Sequence, residues 1–410
     1  MQRTNLGDYI GPCESQESGR GLPLRRGSLR SGGSKPMRVT LVNLHPKGGM
    51  LHYACELANA LAQFSEVEVS VVFSRAARRD LLDPGVSRID VDLPKSSALA
   101  DLIVGLPHLL DVRQVSRAVM KTRPSVVHFT NSHVFSDIQL RSLSRHFPLV
   151  RTVHDVVSHL GEERRNFDKK RGRMFRYFGK IVVHREDLRQ RILTMYPHLT
   201  ADRVAVSPHG DYRLFLRWAG SRSREPRRVL FFGRIREYKG IQHFIAAAPL
   251  VRAAVGEVTF AIVGFGDLRP FHRALSDQSL FEVHNSHIPD EAVSAQFEAA
   301  SLLVLPYLEA SESGVMKIAK GFDLPVIATD LEAFRHAIDD GETGVLVRPA
   351  DPEKLAEAIS TLLLNDTKRA AIAQKAKERN DDGGSWVEAA RRLIKIYRDL
   401  CDQVSARDIL

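Results

Sequence analysis

The sequence predicts an α/β protein of two doubly wound, Rossmann-like domains facing a cleft. Short β-branched runs alternate with helix-period segments from residue 37 onward, the rhythm breaks over 214–226, and a second alternating series follows. Such alternation gives parallel sheets wrapped by helices. Ligands of such sheets sit outside the carboxyl ends of the strands.

Residues 1–36 carry Gly, Ser and Arg clusters without apolar periodicity and read as a disordered tail. They lack the apolar core of a secretory signal. Met37 directly precedes the first strand-like run and stands as an alternative start to Met1. The first domain, 37–213, contains strand-like runs at 37–44, 67–73, 125–129, 149–154 and 180–184. The stretch 214–226, with its polar run RWAGSRSREP, reads as an interdomain linker. The second domain, 227–385, contains runs at 228–233, 258–264, 302–307, 325–329 and 344–348. In the C-terminal segment 386–410, Ala389, Leu393, Ile394, Ile396, Tyr397 and Leu400 recur at helical spacing over 386–404, placing a helix there that packs back on the first domain.

At 410 residues the chain exceeds one ordinary core, which agrees with two domains. Cys13, Cys55 and Cys401 lie too far apart for a CxxC or a metal-ligand cluster, so neither a disulfide framework nor a metal site is expected and a cytoplasmic compartment fits. The longest apolar stretches, 244–251 and 302–308, fall short of the roughly 18–20 residues of a membrane span. A net charge of +10 favours anionic ligands. Nucleic acid is not among them, because no aromatic-interleaved basic strand or recognisable module occurs.

Several segments have the residue types that anion chemistry needs. In 47–53, Gly48 and Gly49 follow the first strand and open a helix, where backbone N–H groups come close to a ligand. His154 and Asp155 end a later strand of the same domain. In GRIREYKG, 233–240, Gly233 permits close approach while Arg234 and Lys239 stand at a strand end leading into a helix, where phosphate binds. A second Gly-rich strand end, 263–267, contains Gly264. In 310–329 a small-residue turn from Ser311 opens a helix at Gly314, whose free N–H groups suit a phosphate.

In this order the pieces resemble the retaining glycosyltransferases of the GT-B fold, family 4, over residues 37–404. The resemblance is carried by Gly48-Gly49, His154-Asp155, SPHGD at 207–211, the 233–240 and 313–329 segments, and DGETGVLV at 340–347. It implies a nucleotide-sugar donor as substrate, with no cofactor and no metal. Arg234 and Lys239 would grip the donor's diphosphate, and Gly233 and Gly264 would line its site. Glu312, Ser313, Gly314 and Val315 would form the helix N-terminus against the donor, while Ile288, within 287–289, would flank the base. His154 would bond the sugar near the reacting carbon, and Gly48 and Gly49 would contact diphosphate or acceptor. In one place the chain departs from the pattern. The family's two Glu, eight positions apart, fall on Ala310 and Ile318, with Glu309 and Glu312 nearby as replacements for the first.

The expected reaction is sugar transfer to a polysaccharide, glycolipid or other acceptor; the alternative is a non-catalytic binding or scaffold protein with a degenerate donor site. Over 164–180, eight Lys or Arg stand against Asp168, and Phe167, Arg171, Met174, Phe175 and Phe178 fall near one helical face. This basic amphipathic segment predicts peripheral contact with an anionic membrane surface, at its inner face. Since residues 1–36 carry no apolar face, their removal is expected to leave the melting temperature nearly unchanged, which differential scanning calorimetry of the two chains checks.

Overall fold

Near-continuous Val, Ile and Leu runs present no polar face to water, so strands built from them need cover on both sides. In the computed structural model, which describes residues 35–93, 106–156, 167–220, 222–379 and 385–407, two such sheets form. The first holds β1 (Met37–Asn43), β2 (Val67–Ser74), β3 (Ser87–Val91), β4 (Val126–Phe129), β5 (Leu149–Thr152), β6 (Lys180–Val183) and β7 (Val204–Val206), in the order β3-β2-β1-β4-β5-β6-β7. The second holds β8 (Arg228–Phe232), β9 (Thr259–Gly264), β10 (Phe281–Asn285), β11 (Leu302–Leu305), β12 (Val326–Thr329) and β13 (Val345–Val347), in the order β10-β9-β8-β11-β12-β13. Every pairing is parallel.

The helices longer than one turn are α1 (Gly49–Leu61), α2 (Leu106–Thr122), α3 (Phe167–Met174), α4 (Glu186–Met195), α5 (Ile241–Val255), α6 (Asp290–Ala299), α7 (Gly314–Gly321), α8 (Pro352–Leu364), α9 (Asp366–Glu378) and α10 (Trp386–Arg407). Each sheet reverses its winding direction at its first strand. β1 lies between β2 and β4, and β8 between β9 and β11. Loops leaving such a switch point diverge and leave a crevice at the carboxyl ends.

α10 packs back on the first domain, as its apolar spacing predicts. Leu393 and Tyr397 are fully buried. The Tyr397 hydroxyl lies 2.5 Å from His128 Nδ1 on β4, and Trp386 Nε1 donates to the Asp211 carbonyl at 2.8 Å. Gly210 makes the contact possible, since a Cβ there would stand 2.5 Å from the indole.

Two expectations are corrected. The stretch 214–226 is not a plain linker, because its first part belongs to a 3-10 segment, Arg213–Trp218, with Leu214 and Phe215 buried. Ser294 Oγ on α6 donates to the Phe215 carbonyl there. The apolar residues of the segment outweigh the Arg/Ser run that follows, and only 219–226 crosses the surface, half-buried at Glu225. In the amphipathic segment 164–180 the expected outward face is likewise corrected at Arg171, Phe175 and Phe178, which turn inward. Phe175 and Phe178 are 2% exposed and belong to the first domain's core. Arg171 is buried too, donating to the Asp155 and Val156 carbonyls. Lys169, Lys170, Arg173 and Arg176 are the exposed cations. Residues 164–166 of that reading, like 1–34 of the tail, lie outside the described residues. No helix among the described residues is long and apolar enough to cross a membrane.

Because Trp386 closes the seam against Tyr53 and His209, Trp386→Ala is expected to cost about 3–5 kcal/mol of stability. Urea denaturation of the two chains measures it.

Candidate functional site

In the first domain the site grows from loops at the carboxyl ends of β1, β5, β6 and β7. Gly48 caps α1 at φ +78°, a conformation that side chains disfavour. His154 follows β5, His184 follows β6, and His209 follows β7. All three gather around Tyr53 of α1, with ring centroids 4.6, 5.5 and 5.1 Å from the phenol. Burial pushes the His154 imidazole down to about 4, reinforced by His184, and drives His184 and His209 below the usual range as well.

Polar partners fix the rings. His154 Nε2 is 2.8 Å from the Thr130 carbonyl and its Nδ1 is 3.0 Å from His184 Nε2. His184 Nδ1 is 3.0 Å from the Ser207 carbonyl, and His209 Nδ1 is 2.7 Å from that of Gly210.

In the second domain the site is built on close backbone approach. Gly264, at φ +154°, ends β9 so near β8 that a Cβ would lie 1.8 Å from the Gly233 carbonyl oxygen. Gly233 in turn faces Val315 of α7, at 3.5 Å from where its Cβ would be. Arg234 is exposed at the end of this loop. Lys239 is half-buried with its Nζ 3.7 Å above the Tyr307 ring. The Tyr307 hydroxyl reaches Ser313 Oγ at 3.5 Å, and Ser313 caps α7 by accepting from the Met316 N–H. The glycine loop, Lys239 and the α7 N-terminus therefore converge at the switch point between β8 and β11.

Tyr212 joins the two halves. Its hydroxyl donates to the Gly49 carbonyl at 3.0 Å, and its Cε2 lies 3.0 Å from where a Gly314 Cβ would be. The N-termini of α1 and α7 thus both contact one phenol ring. Glu312 precedes α7, 3.6 Å from Lys317 Nζ. Against the upward push of burial, Lys317, His184, His209 and Arg185 hold its carboxyl well below the usual range. Lys317 also donates to the His209 carbonyl and Arg185 to that of Ser311, so both domains contribute to this charge cluster. Ile288 is half-buried against the core, and Asp290, which opens α6, lies 3.0 Å from His52 Nε2 of α1.

Ala310 is half-buried, and Ile318 is buried in the core. Neither offers a polar atom. Sequence reasoning assigned no role to His184, His209, Tyr53 or Tyr212. The available signal was that the runs now seen as β5, β6 and β7 are each followed within a few residues by histidine. Asp187, Glu332 and His336 bring ligand atoms within 4.8 Å of one another, but Arg185 already clasps Asp187 through both carboxylate oxygens.

An arrangement with two helix N-termini, cations at a glycine loop and buried imidazoles is suited to holding an anion at a group-transfer centre. The family model described as Glycosyltransferase Family 4 matches residues 47–211, and that described as Glycosyl transferases group 1 matches 226–365. A D-inositol 3-phosphate glycosyltransferase of Paenarthrobacter aurescens is 27% identical over 391 residues, covering 86% of this chain and 93% of its own. A phosphatidyl-myo-inositol mannosyltransferase of Mycolicibacterium smegmatis is 26% identical over 372 residues, covering 88% and 93%. Among solved structures, a sucrose-phosphate synthase from Thermosynechococcus elongatus superposes with a TM-score of 0.70 at 17% identity, covering 89% of this chain and 99% of its own. Anabaena HepE in complex with UDP and glucose gives 0.64 at 16%, covering 88% and 100%. With both halves matched and the two-sheet GT-B architecture in place, the chain belongs to glycosyltransferase family 4.

Proposed function

We propose that the protein transfers a sugar from a nucleotide-sugar donor to an acceptor hydroxyl with retention of anomeric configuration. The observation that carries this reading is the meeting of the α1 and α7 N-termini across Tyr212, beside the Gly233 loop. Free N–H groups at both helix ends favour a bound anion, and this is the place we assign to the donor diphosphate. Arg234 and Lys239 add cationic charge, and these groups take the role a metal ion has in other transferases. In the transfer step the bond from the anomeric carbon to the phosphate oxygen breaks while the bond to the acceptor oxygen forms on the same face. The acceptor proton passes to the departing phosphate oxygen. His154 lies at the first-domain wall of the site, where it lines the sugar pocket.

The relatives' names point to a phosphorylated or lipid-linked polyol as the acceptor class. With Phe175 and Phe178 turned inward, contact with an anionic surface would run through the exposed cations of α3 and the turn after it. A second reading, a non-catalytic binding protein on the same fold, draws on Ala310 and Ile318. It predicts nucleotide binding without turnover.

A thermal-shift screen against nucleoside diphosphates tests the donor site, since a ligand at 100 times its Kd stabilises by about 2.7 kcal/mol. Once a donor is found, Arg234→Ala and Lys239→Ala are each expected to lower kcat/KM by about 10²–10³-fold, with circular dichroism and melting temperature retained. Unchanged turnover in both variants removes the diphosphate clamp.

A further inference from the structure

The hydrogens of the histidine cluster do not add up for one pair. A backbone carbonyl only accepts, so the Thr130 carbonyl requires a hydrogen on His154 Nε2 and the Ser207 carbonyl requires one on His184 Nδ1. Two neutral imidazoles hold two ring hydrogens, and both are now used. Yet His154 Nδ1 and His184 Nε2 face each other at 3.0 Å, a hydrogen-bond distance with no hydrogen left to fill it. His128 has no such shortage, since it meets hydroxyls at both nitrogens. At His209 the ring hydrogen serves the Gly210 carbonyl and the Tyr212 hydroxyl donates to the Gly49 carbonyl, so the 3.3 Å approach of His209 Nε2 to that hydroxyl is a longer contact that shares no hydrogen.

We propose that nucleotide binding in the cleft is coupled to uptake of one proton by the His154–His184 pair, and that His184 is the positioning residue that fixes the orientation of His154. The inference rests on the nucleotide-donor reading above. A third hydrogen completes the three contacts and turns the pair into an imidazole–imidazolium couple with both rings held in place.

The surroundings explain why the proton waits for a ligand. Burial disfavours a charge on either ring, and Lys317 and Arg185 add repulsion at His184. Glu312 attracts the proton from the α7 side and Asp155 from beyond β5, but Lys317 already pairs with Glu312. His209 and His128 face the pair from the β7 loop and β4, where burial keeps them uncharged, and Tyr53 of α1 closes the remaining side. A diphosphate at the α1 and α7 N-termini adds the negative charge this balance lacks, which favours the imidazolium. By linkage, a group protonated only in the complex makes binding tighter as pH falls.

The test is isothermal titration of the full chain with UDP and with GDP at pH 7.5, repeated in buffers of different ionisation enthalpy. The apparent heat then gives the protons exchanged. Wild type is expected to take up about one proton per nucleotide bound. The nucleotide's own terminal phosphate, with a pKa near ~6, contributes the opposite sign if it ionises further on binding. His184→Gln places an uncharged amide N–H opposite His154 Nδ1, so this variant is expected to bind with uptake near zero. Binding by wild type without proton uptake, or uptake that persists in His184→Gln, overturns the proposal and leaves the donor reading intact. If His184→Gln does not fold, the wild-type titration still decides, and His184→Asn serves as the second variant. Absence of binding for both nucleotides overturns the donor reading and this inference with it.

Discussion

The Tyr212 phenol is the constraint on which the site depends. It is 3% exposed, and its hydroxyl must find a partner in the interior. The partner is the Gly49 carbonyl in the first turn of α1, while ring carbon Cε2 lies against Gly314 in the first turn of α7. A side chain at position 314 would press on the ring, so the small residue there sets the spacing between the two helix ends. The 3-10 segment that follows Tyr212 buries Leu214 and Phe215, and α10 closes over the same region through Trp386. The crossing from one domain to the other is thus a packed element. This holds the two helix ends at the crevice at a fixed spacing.

Packing this tightly has an electrostatic consequence. Three imidazoles, a tyrosine and a carboxylate share a site from which much of the water is excluded, and each ionisation there is opposed by burial. Burial opposes the charge on Glu312, and the cations Lys317 and Arg185 beside it favour that charge. Polar contacts also cross the domain boundary, with His52 meeting Asp290 while its ring packs edge-on against Tyr212 and Phe215, and Arg185 reaching the Ser311 carbonyl. The aromatic seam fixes geometry, and the charged groups around it set the potential that an incoming anion meets.

Much of the fold was legible because buried parallel strands are almost wholly β-branched or aliphatic. The runs at 228–233 and 258–264 match β8 and β9 to within one residue. β3, β7 and β10 were not legible. They lie at sheet edges, and Ser87–Val91 and Phe281–Asn285 are largely polar because one side of an edge strand meets water, whereas the fourth edge strand, β13, stayed aliphatic and was read as the run 344–348. The glycine loops were legible because close approach leaves only glycine at positions such as 264. The basic segment at 164–180 misled because helical spacing shows that a stripe is apolar but not what it packs against. Phe178 stacks under Arg151, 4.7 Å from its guanidinium carbon, an interior pairing that no local pattern announces. The histidine cluster was hidden for the same reason, since its members come from three strands and meet only when the sheet forms.

The missing carboxylate pair can be understood from α7 itself. Ile318 is on the inward face of the helix and 6% exposed, so a Glu there would need a buried partner, whereas the isoleucine joins the core beside Leu324 and Val326. The carboxylate of this region instead stands before the helix, at Glu312. There the exposed α7 N–H groups favour negative charge and Lys317, one turn on, neutralises it. With that charge cancelled locally, Arg234 and Lys239 leave the second-domain side of the crevice positive. Under the proposed donor reading, such a site would hold the anion by charge and backbone geometry, and hydroxyl recognition would fall to residues other than Ala310 and Ile318.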